Sequence, residues 1–231
     1  MSGARLAILY GYVPCQLGLC GPEDSKKRKV ISRYLKGEKK LESEIRKILK
    51  EFKGAYPYYQ LIARSNKIKN PLYVKVVEAY WIGNELLDKV KTADFKKMIL
   101  NSFVPLGKIS RKKADDLSKN SLAYHNFHVL FLGSVTGRAK LEGKLLDVCR
   151  VSWGRVKNIS RETLTVEYKP IVIRRKPTLA GSVSKKIKWN KNILPKVKTG
   201  DWVSIHWNTA IQILGAKEIT DIEKYTNRIL R

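Results

Sequence analysis

The chain is poor in cysteine, in histidine and in long apolar runs. The low cysteine count and the lack of long apolar runs each exclude a class of protein. The 231 residues include 3 cysteines and 3 histidines. Three cysteines cannot form the disulfide framework of a small secreted domain, which predicts a reducing, cytoplasmic compartment. No apolar run approaches the roughly 20 residues that span a bilayer, so we expect no membrane insertion.

Acidic residues are scarce compared with basic ones. The chain carries 47 Lys and Arg against 20 Asp and Glu, for a formal net charge of +27. A surface of this charge attracts phosphate polymers and acidic proteins through its long-range field. A lysine-rich composition is also common in proteins from hot environments, so the charge alone leaves the partner open.

The two halves of the chain differ in hydrophobic period. Apolar residues recur at helical spacing in the first half, for example Leu41, Ile45 and Ile48. This spacing predicts helices within 25–53, 72–91 and 93–103. Period-two alternation in the second half predicts β-strands within 148–156, 163–174 and 201–206.

Turn-forming segments with Pro, Gly or Asn separate these strands at the spacing of a small barrel. The last residues, 216–231, have a helical pattern. The sequence therefore predicts an α+β protein with two domains. A mainly helical domain of unknown role covers 1–140, and a small β-barrel with a C-terminal helix covers 147–231.

Every cysteine and histidine lies outside the lysine-rich helical segments. Thiolate and imidazole are the side chains that best suit soft and borderline transition metals. The candidate ligands are Cys20, His125, His128, Cys149 and His206, with Cys15 as the weakest. We expect Cys15 and Cys20 in a turn-rich segment, Cys149 at the start of the first strand and His206 at the end of the last.

The spacing of these residues is not that of a zinc finger, because no second close pair accompanies Cys15 and Cys20. His125 and His128 share a face only if their segment is helical. A buried thiol or a hydrogen-bonded core imidazole remains the alternative for each residue.

Signatures of conventional enzymes are absent. The chain contains no nucleophile elbow, no glycine-rich phosphate loop and no dinucleotide-binding fingerprint. Cys149 and His206 are the one thiol and base that can be considered for nucleophilic catalysis. We therefore expect a protein that is not an enzyme.

The second half resembles a known family. Cys149-Arg-Val-Ser-Trp-Gly-Arg-Val156 resembles the opening of the HypC/HupF-type NiFe-hydrogenase assembly chaperones. The segment 194–211, with its Gly200-Asp201-aromatic-Val motif and its His206, is similar to a later strand and turn of that family. The whole chain resembles an uncharacterised prokaryotic family in which a Leu-Gly-x-Cys-Gly-Pro start, here residues 17–22, precedes a HypC-like end.

This resemblance implies an OB-like barrel that acts in hydrogenase maturation. Members of the family carry an iron-cyanide-carbonyl fragment from a maturation scaffold to the hydrogenase large subunit. By resemblance, Cys149 is the iron ligand and His206 is the family's histidine. We expect Cys20, His125 and His128 to complete or guard the site.

Two other readings stay open at this stage. The basic runs and the tryptophans, such as Trp189 and Trp202, suit an RNA- or ribosome-associated binding protein. Alternatively, the barrel has kept its fold, lost its metal and docks an acidic protein partner.

Overall fold

A computed structural model describes residues 1–231 and shows an α+β chain that divides into two compact units, 1–140 and 141–231. Helices make up the first unit, and strands followed by a helix make up most of the second. The predicted fold class is therefore confirmed.

The first unit contains eight α-helices connected by short turns. They are α1 (Gly3–Gln16), α2 (Ser25–Leu35), α3 (Glu42–Leu49), α4 (Tyr56–Ser65), α5 (Val74–Trp81), α6 (Thr92–Ser102), α7 (Arg111–Asp115) and α8 (His125–Phe127). A π-helical turn, His128–Leu132, continues from α8. Single 3-10 turns cover Lys39–Leu41, Glu85–Lys89 and Val104–Leu106.

Two helical predictions need correction. The sequence pattern predicts no helix at the start and a turn-rich segment around Cys15, yet α1 covers most of the first 16 residues and places Cys15 in its last turn. Residues 3–11 of this helix are buried almost without interruption, so they carry no amphipathic period. The stretch 72–91 is not one helix, because Gly83 adopts a φ of 87° and ends α5.

Aromatic rings fill the centre of the first unit. Tyr58 is fully buried, and its ring lies 4.8 Å from that of Tyr80, 5.7 Å from Phe95 and 5.6 Å from Phe103. Such tilted contacts between rings are favourable beyond the area they bury. This cluster supports the segment that carries His125 and His128.

The second unit begins with one short helix, α9 (Lys144–Cys149), and ends with a long one, α10 (Ala216–Leu230). Seven strands lie between them. They are β1 (Ser152–Ile159), β2 (Thr163–Tyr168), β3 (Ile171–Ile173), β4 (Pro177–Leu179), β5 (Val183–Lys188), β6 (Trp202–His206) and β7 (Thr209–Leu214).

Five of these strands form a barrel in the order β1-β2-β5-β7-β6, and β6 pairs back with β1. The contact between β5 and β7 is parallel and consists of one residue pair, Lys188 with Thr209. The barrel is therefore partly open along this seam, as in OB-type architectures. Its core contains Val156, Leu164, Val166, Ile187, Val203 and Ile205.

The strand predictions were incomplete. The predicted strand 163–174 divides at Lys169 and Pro170, and β3 leaves the barrel to pair with β4 alone. A proline lacks the N–H that a central strand would need, which explains the break. β5 and β7 had no prediction, and His206 ends β6 and not the last strand.

None of the helices combines the length and the apolar composition that crossing a bilayer requires.

Candidate metal centre

Cys149 is the last residue of helix α9, whereas the sequence predicted that it opens a strand. The helical hydrogen bond from the Arg150 N–H to the Leu146 carbonyl is 3.0 Å long, and β1 begins only at Ser152. The strand prediction was wrong because Asp147 and Arg150, three residues apart, pair across one helical turn. The thiol therefore lies at the C-terminal end of a short helix.

A buried ion pair fixes the chain on both sides of Cys149. Arg150 is 0% exposed, and its Nε and Nη2 atoms lie 3.0 and 2.9 Å from Oδ1 of Asp147. Asp147 also accepts hydrogen bonds from the Tyr168 hydroxyl at 3.0 Å and from the Ile171 N–H at 2.8 Å. These bonds hold the end of α9 against β2 and β3.

Charge balance in this network depends on a single carboxylate. The Nζ atom of Lys185 lies 3.8 Å from Oδ2 of Asp147, so two cations face one anion. Burial lowers the pKa of Lys185. Burial first, and the Asp147 charge second, raise the pKa of Tyr168 to about 12, so its hydroxyl remains a donor at neutral pH.

The hairpin between β6 and β7 holds His206 close to the end of α9. The two turn residues, Trp207 and Asn208, have φ angles of 50° and 53°, as a type I′ turn requires. The N–H of Trp207 donates to the carbonyl of Val148 at 2.9 Å. This bond joins the residue after His206 to the residue before Cys149.

Two of the predicted ligands form a pair within the second unit. The ligand atoms of Cys149 and His206 lie within 4.8 Å of each other. His125 is 6% and His206 is 2% exposed, while Cys149 is partly buried. A thiolate and a neutral imidazole can bind a soft or borderline transition metal, and two protein ligands leave coordination positions open for other molecules.

The thiol of Cys149 holds its proton strongly. Burial raises the pKa of Cys149 to about 12, and a side-chain hydrogen bond from Trp207 acts in the opposite direction. At neutral pH the side chain is therefore a thiol until a cation displaces the proton. Metal binding at this residue must release one proton.

The hydrogen bonds around His125 determine which of its nitrogens can bind a metal. The Tyr80 hydroxyl donates its one proton to the carbonyl of Gly54 at 2.7 Å. Nδ1 of His125 lies 3.1 Å from the same hydroxyl oxygen, so Nδ1 must donate to it. The lone pair of the neutral ring is then on Nε2, which is the arrangement that metal-binding histidines use.

His128 and Cys20, which the sequence also predicted as ligands, belong to the first unit, and neither is part of a group of candidate ligand atoms. Nδ1 of His128 is 2.9 Å from the Tyr58 hydroxyl, and burial lowers the pKa of His128 to about 4. The ring therefore remains neutral within the aromatic core. Cys15, the weakest candidate, is fully buried in α1, and burial raises its pKa to about 11.

Sequence reasoning missed the residues that hold the ligands in place. Asp147, Arg150 and Tyr80 belong to ordinary polar or aromatic patterns in the sequence, and no motif distinguishes them. Their roles depend on burial and on partners distant in the chain, which a single sequence does not show. Trp207 was visible only as a tryptophan beside a candidate histidine.

Comparisons with known proteins give one finding. No curated protein and no solved structure matches the chain. Residues 1–231 match the family described as "Family of unknown function (DUF6390)". Because the match covers the whole sequence, the chain belongs to the DUF6390 family.

Proposed function

We propose that this protein is a metal carrier in metallocentre assembly, which holds an iron fragment through Cys149 and passes it to a partner protein. The observation that carries the proposal is the pair of Cys149 and His206, whose ligand atoms lie within 4.8 Å of each other. The resemblance of the second half to HypC/HupF-type chaperones points to hydrogenase maturation. The maturation scaffold and the hydrogenase large subunit are then the expected partners.

The ligand set suits iron that carries small exogenous ligands. A thiolate and a neutral imidazole bind iron as well as zinc or copper, and a structural zinc site would need four protein ligands. A site with fewer protein ligands leaves room for cyanide and carbon monoxide on the same ion.

The environment of Cys149 couples metal loading to proton release. Burial raises the pKa of Cys149 to about 12 in the metal-free chain, so the thiol must lose its proton when a metal binds. Metal binding at this residue should therefore weaken as the pH falls.

Purification without oxygen from cells that make the hydrogenase fragment tests this proposal. We expect about one iron per chain and infrared bands of cyanide and carbon monoxide in the wild-type protein. Cys149→Ser should lose both. Cys20→Ser is the matched control, because Cys20 lies outside the pair and its replacement should leave iron and bands unchanged.

Iron and bands that persist in Cys149→Ser would refute the assignment of the ligand. A wild-type protein that carries neither iron nor these bands, although the cells make active hydrogenase, would refute the carrier function.

A further inference from the structure

The charge of the second unit is concentrated in one acid-free segment. Residues 168–200 contain ten Lys and Arg and no Asp or Glu. The rest of the chain mixes both signs, and many of its cations pair with carboxylates, such as Lys27 with Glu51 and Arg33 with Glu38. The segment, which we call the basic segment, runs from the end of β2 to the start of β6.

Nine of the ten cations of the basic segment are exposed, and none of the nine forms an ion pair. They are Lys169, Arg174, Arg175, Lys176, Lys186, Lys188, Lys191, Lys196 and Lys198. The tenth, Lys185, is partly buried and lies near Asp147. Placing so many like charges together costs energy through repulsion, and an anionic partner would remove that cost.

The strands of the barrel place some of these cations on a common face. Lys186 and Lys188 are two residues apart on β5, so both point to the outer face of the barrel. β5 pairs with β2, where Thr165 and Thr163 stand opposite the two lysines. The outer face of the corresponding two strands is where OB-type barrels bind oligonucleotides.

A β-ribbon extends the same basic segment. β3 and β4 pair only with each other, and Arg174, Arg175 and Lys176 form the exposed turn between them. Three adjacent cations at the tip of a two-stranded ribbon suit contact with a phosphate backbone.

We propose that the basic segment binds the phosphate backbone of nucleic acid. The aromatic side chains of the segment argue against base recognition, since Tyr168 is buried and the Trp189 indole donates to the Leu194 carbonyl at 3.1 Å. Binding is therefore driven by phosphates and is insensitive to sequence. This site is separate in its residues from the proposed metal ligands.

Fluorescence anisotropy of the full chain with labelled single-stranded oligonucleotides tests the proposal. We expect similar affinities for poly-U and poly-A, both falling steeply with salt. The combined variant Arg174→Gln, Arg175→Gln and Lys176→Gln should bind about 10- to 100-fold more weakly at 0.1 M salt. Its slope of log affinity against log salt should be smaller by about 2, since each phosphate contact on a single strand contributes about 0.7.

The control removes the same charge elsewhere. Lys26, Lys29 and Lys36 are exposed in or next to α2, and their combined replacement by Gln should change the salt slope by much less. Equal losses in the two triple variants would show a general charge effect and overturn the site. Absent nucleic-acid binding, with binding of a polyglutamate peptide that depends on Arg174–Lys176, would overturn it in favour of an acidic protein partner.

Discussion

The proton on Nδ1 of His125 is the smallest feature on which the proposed metal site depends. Tyr80 fixes it by donating to Gly54 and accepting from the imidazole. Partners of this kind set the tautomer and orientation of a metal-binding histidine, and their loss typically weakens metal binding about 10- to 100-fold.

We therefore predict that Tyr80→Phe weakens metal binding by about that factor, measured by competition with a chromophoric chelator. Tyr58→Phe is the matched control, since Tyr58 makes the corresponding contact to His128 and is equally buried. Both variants should lose about 1–3 kcal/mol of stability, because each leaves a buried polar group unpaired. Equal losses of metal affinity in the two variants would contradict the role of Tyr80.

His128 gives a prediction about acid stability. Its pKa is about 4 in the folded chain and about 6.5 in the unfolded chain, so the unfolded state binds the extra proton first as the pH falls. The contribution of His128 to stability is therefore complete above pH 6.5 and decreases between pH 6.5 and 4, by about 3 kcal/mol.

Urea unfolding at pH 7 and pH 4.5 measures this contribution. His128→Gln cannot titrate, and it should lose less stability over this interval than the wild type does, even if it is less stable at pH 7. An identical loss in both proteins would show that His128 is not the group responsible.

At the scale of elements, the buried ion pair between Asp147 and Arg150 stabilises the short helix α9. Removing one partner of a buried pair leaves an uncompensated charge, which costs about 3–5 kcal/mol. We predict a loss of this size in the free energy of unfolding for Asp147→Asn, because Arg150 is 0% exposed. Urea unfolding followed by tryptophan fluorescence measures it.

The control for this prediction is Glu167→Gln. Glu167 pairs with Lys157 at 2.6 Å, but both side chains are about half exposed. Exposed pairs contribute about 0–1 kcal/mol, so the loss should be small. A loss for Asp147→Asn no larger than that of Glu167→Gln would contradict the role of the buried pair.

The elements also show what the sequence could predict. The helical period around Ile45 and Ile48 and the alternation before His206 are amphipathic patterns, and both elements were found there. Helix α1 was missed because it is buried on most sides, which removes the pattern. β5 was missed because its exposed lysines interrupt the alternation, and β7 pairs as a strand only through the turn at Trp207 and Asn208.

The same limit applies to the candidate site. The rarity of cysteine and histidine was enough to select Cys149 and His206, which the fold of the second unit brings together. It was not enough to reject Cys20 and His128, because a sequence contains no distances. The supporting residues, Tyr80 and Asp147, depend on burial and hydrogen bonds that only the folded chain has.

At the scale of the whole molecule, charge and metal chemistry involve different residues. The net charge of +27 includes a segment of ten cations without an acid, whereas the candidate ligand pair consists of the Cys149 thiol and the His206 imidazole. A carrier that also binds a polyanion would respond to salt at one site and to pH at the other. Metal affinity should rise about tenfold for each pH unit while one proton is released from Cys149.

X-ray absorption spectroscopy of the zinc-loaded full chain tests the central claim most directly, with zinc as a probe metal. The account predicts one sulfur neighbour at about 2.3 Å and at least one imidazole nitrogen at about 2.0–2.1 Å. Cys149→Ser should lose the sulfur neighbour, and Cys20→Ser should keep it. A spectrum with oxygen neighbours alone, or a sulfur neighbour that survives in Cys149→Ser, would contradict the account.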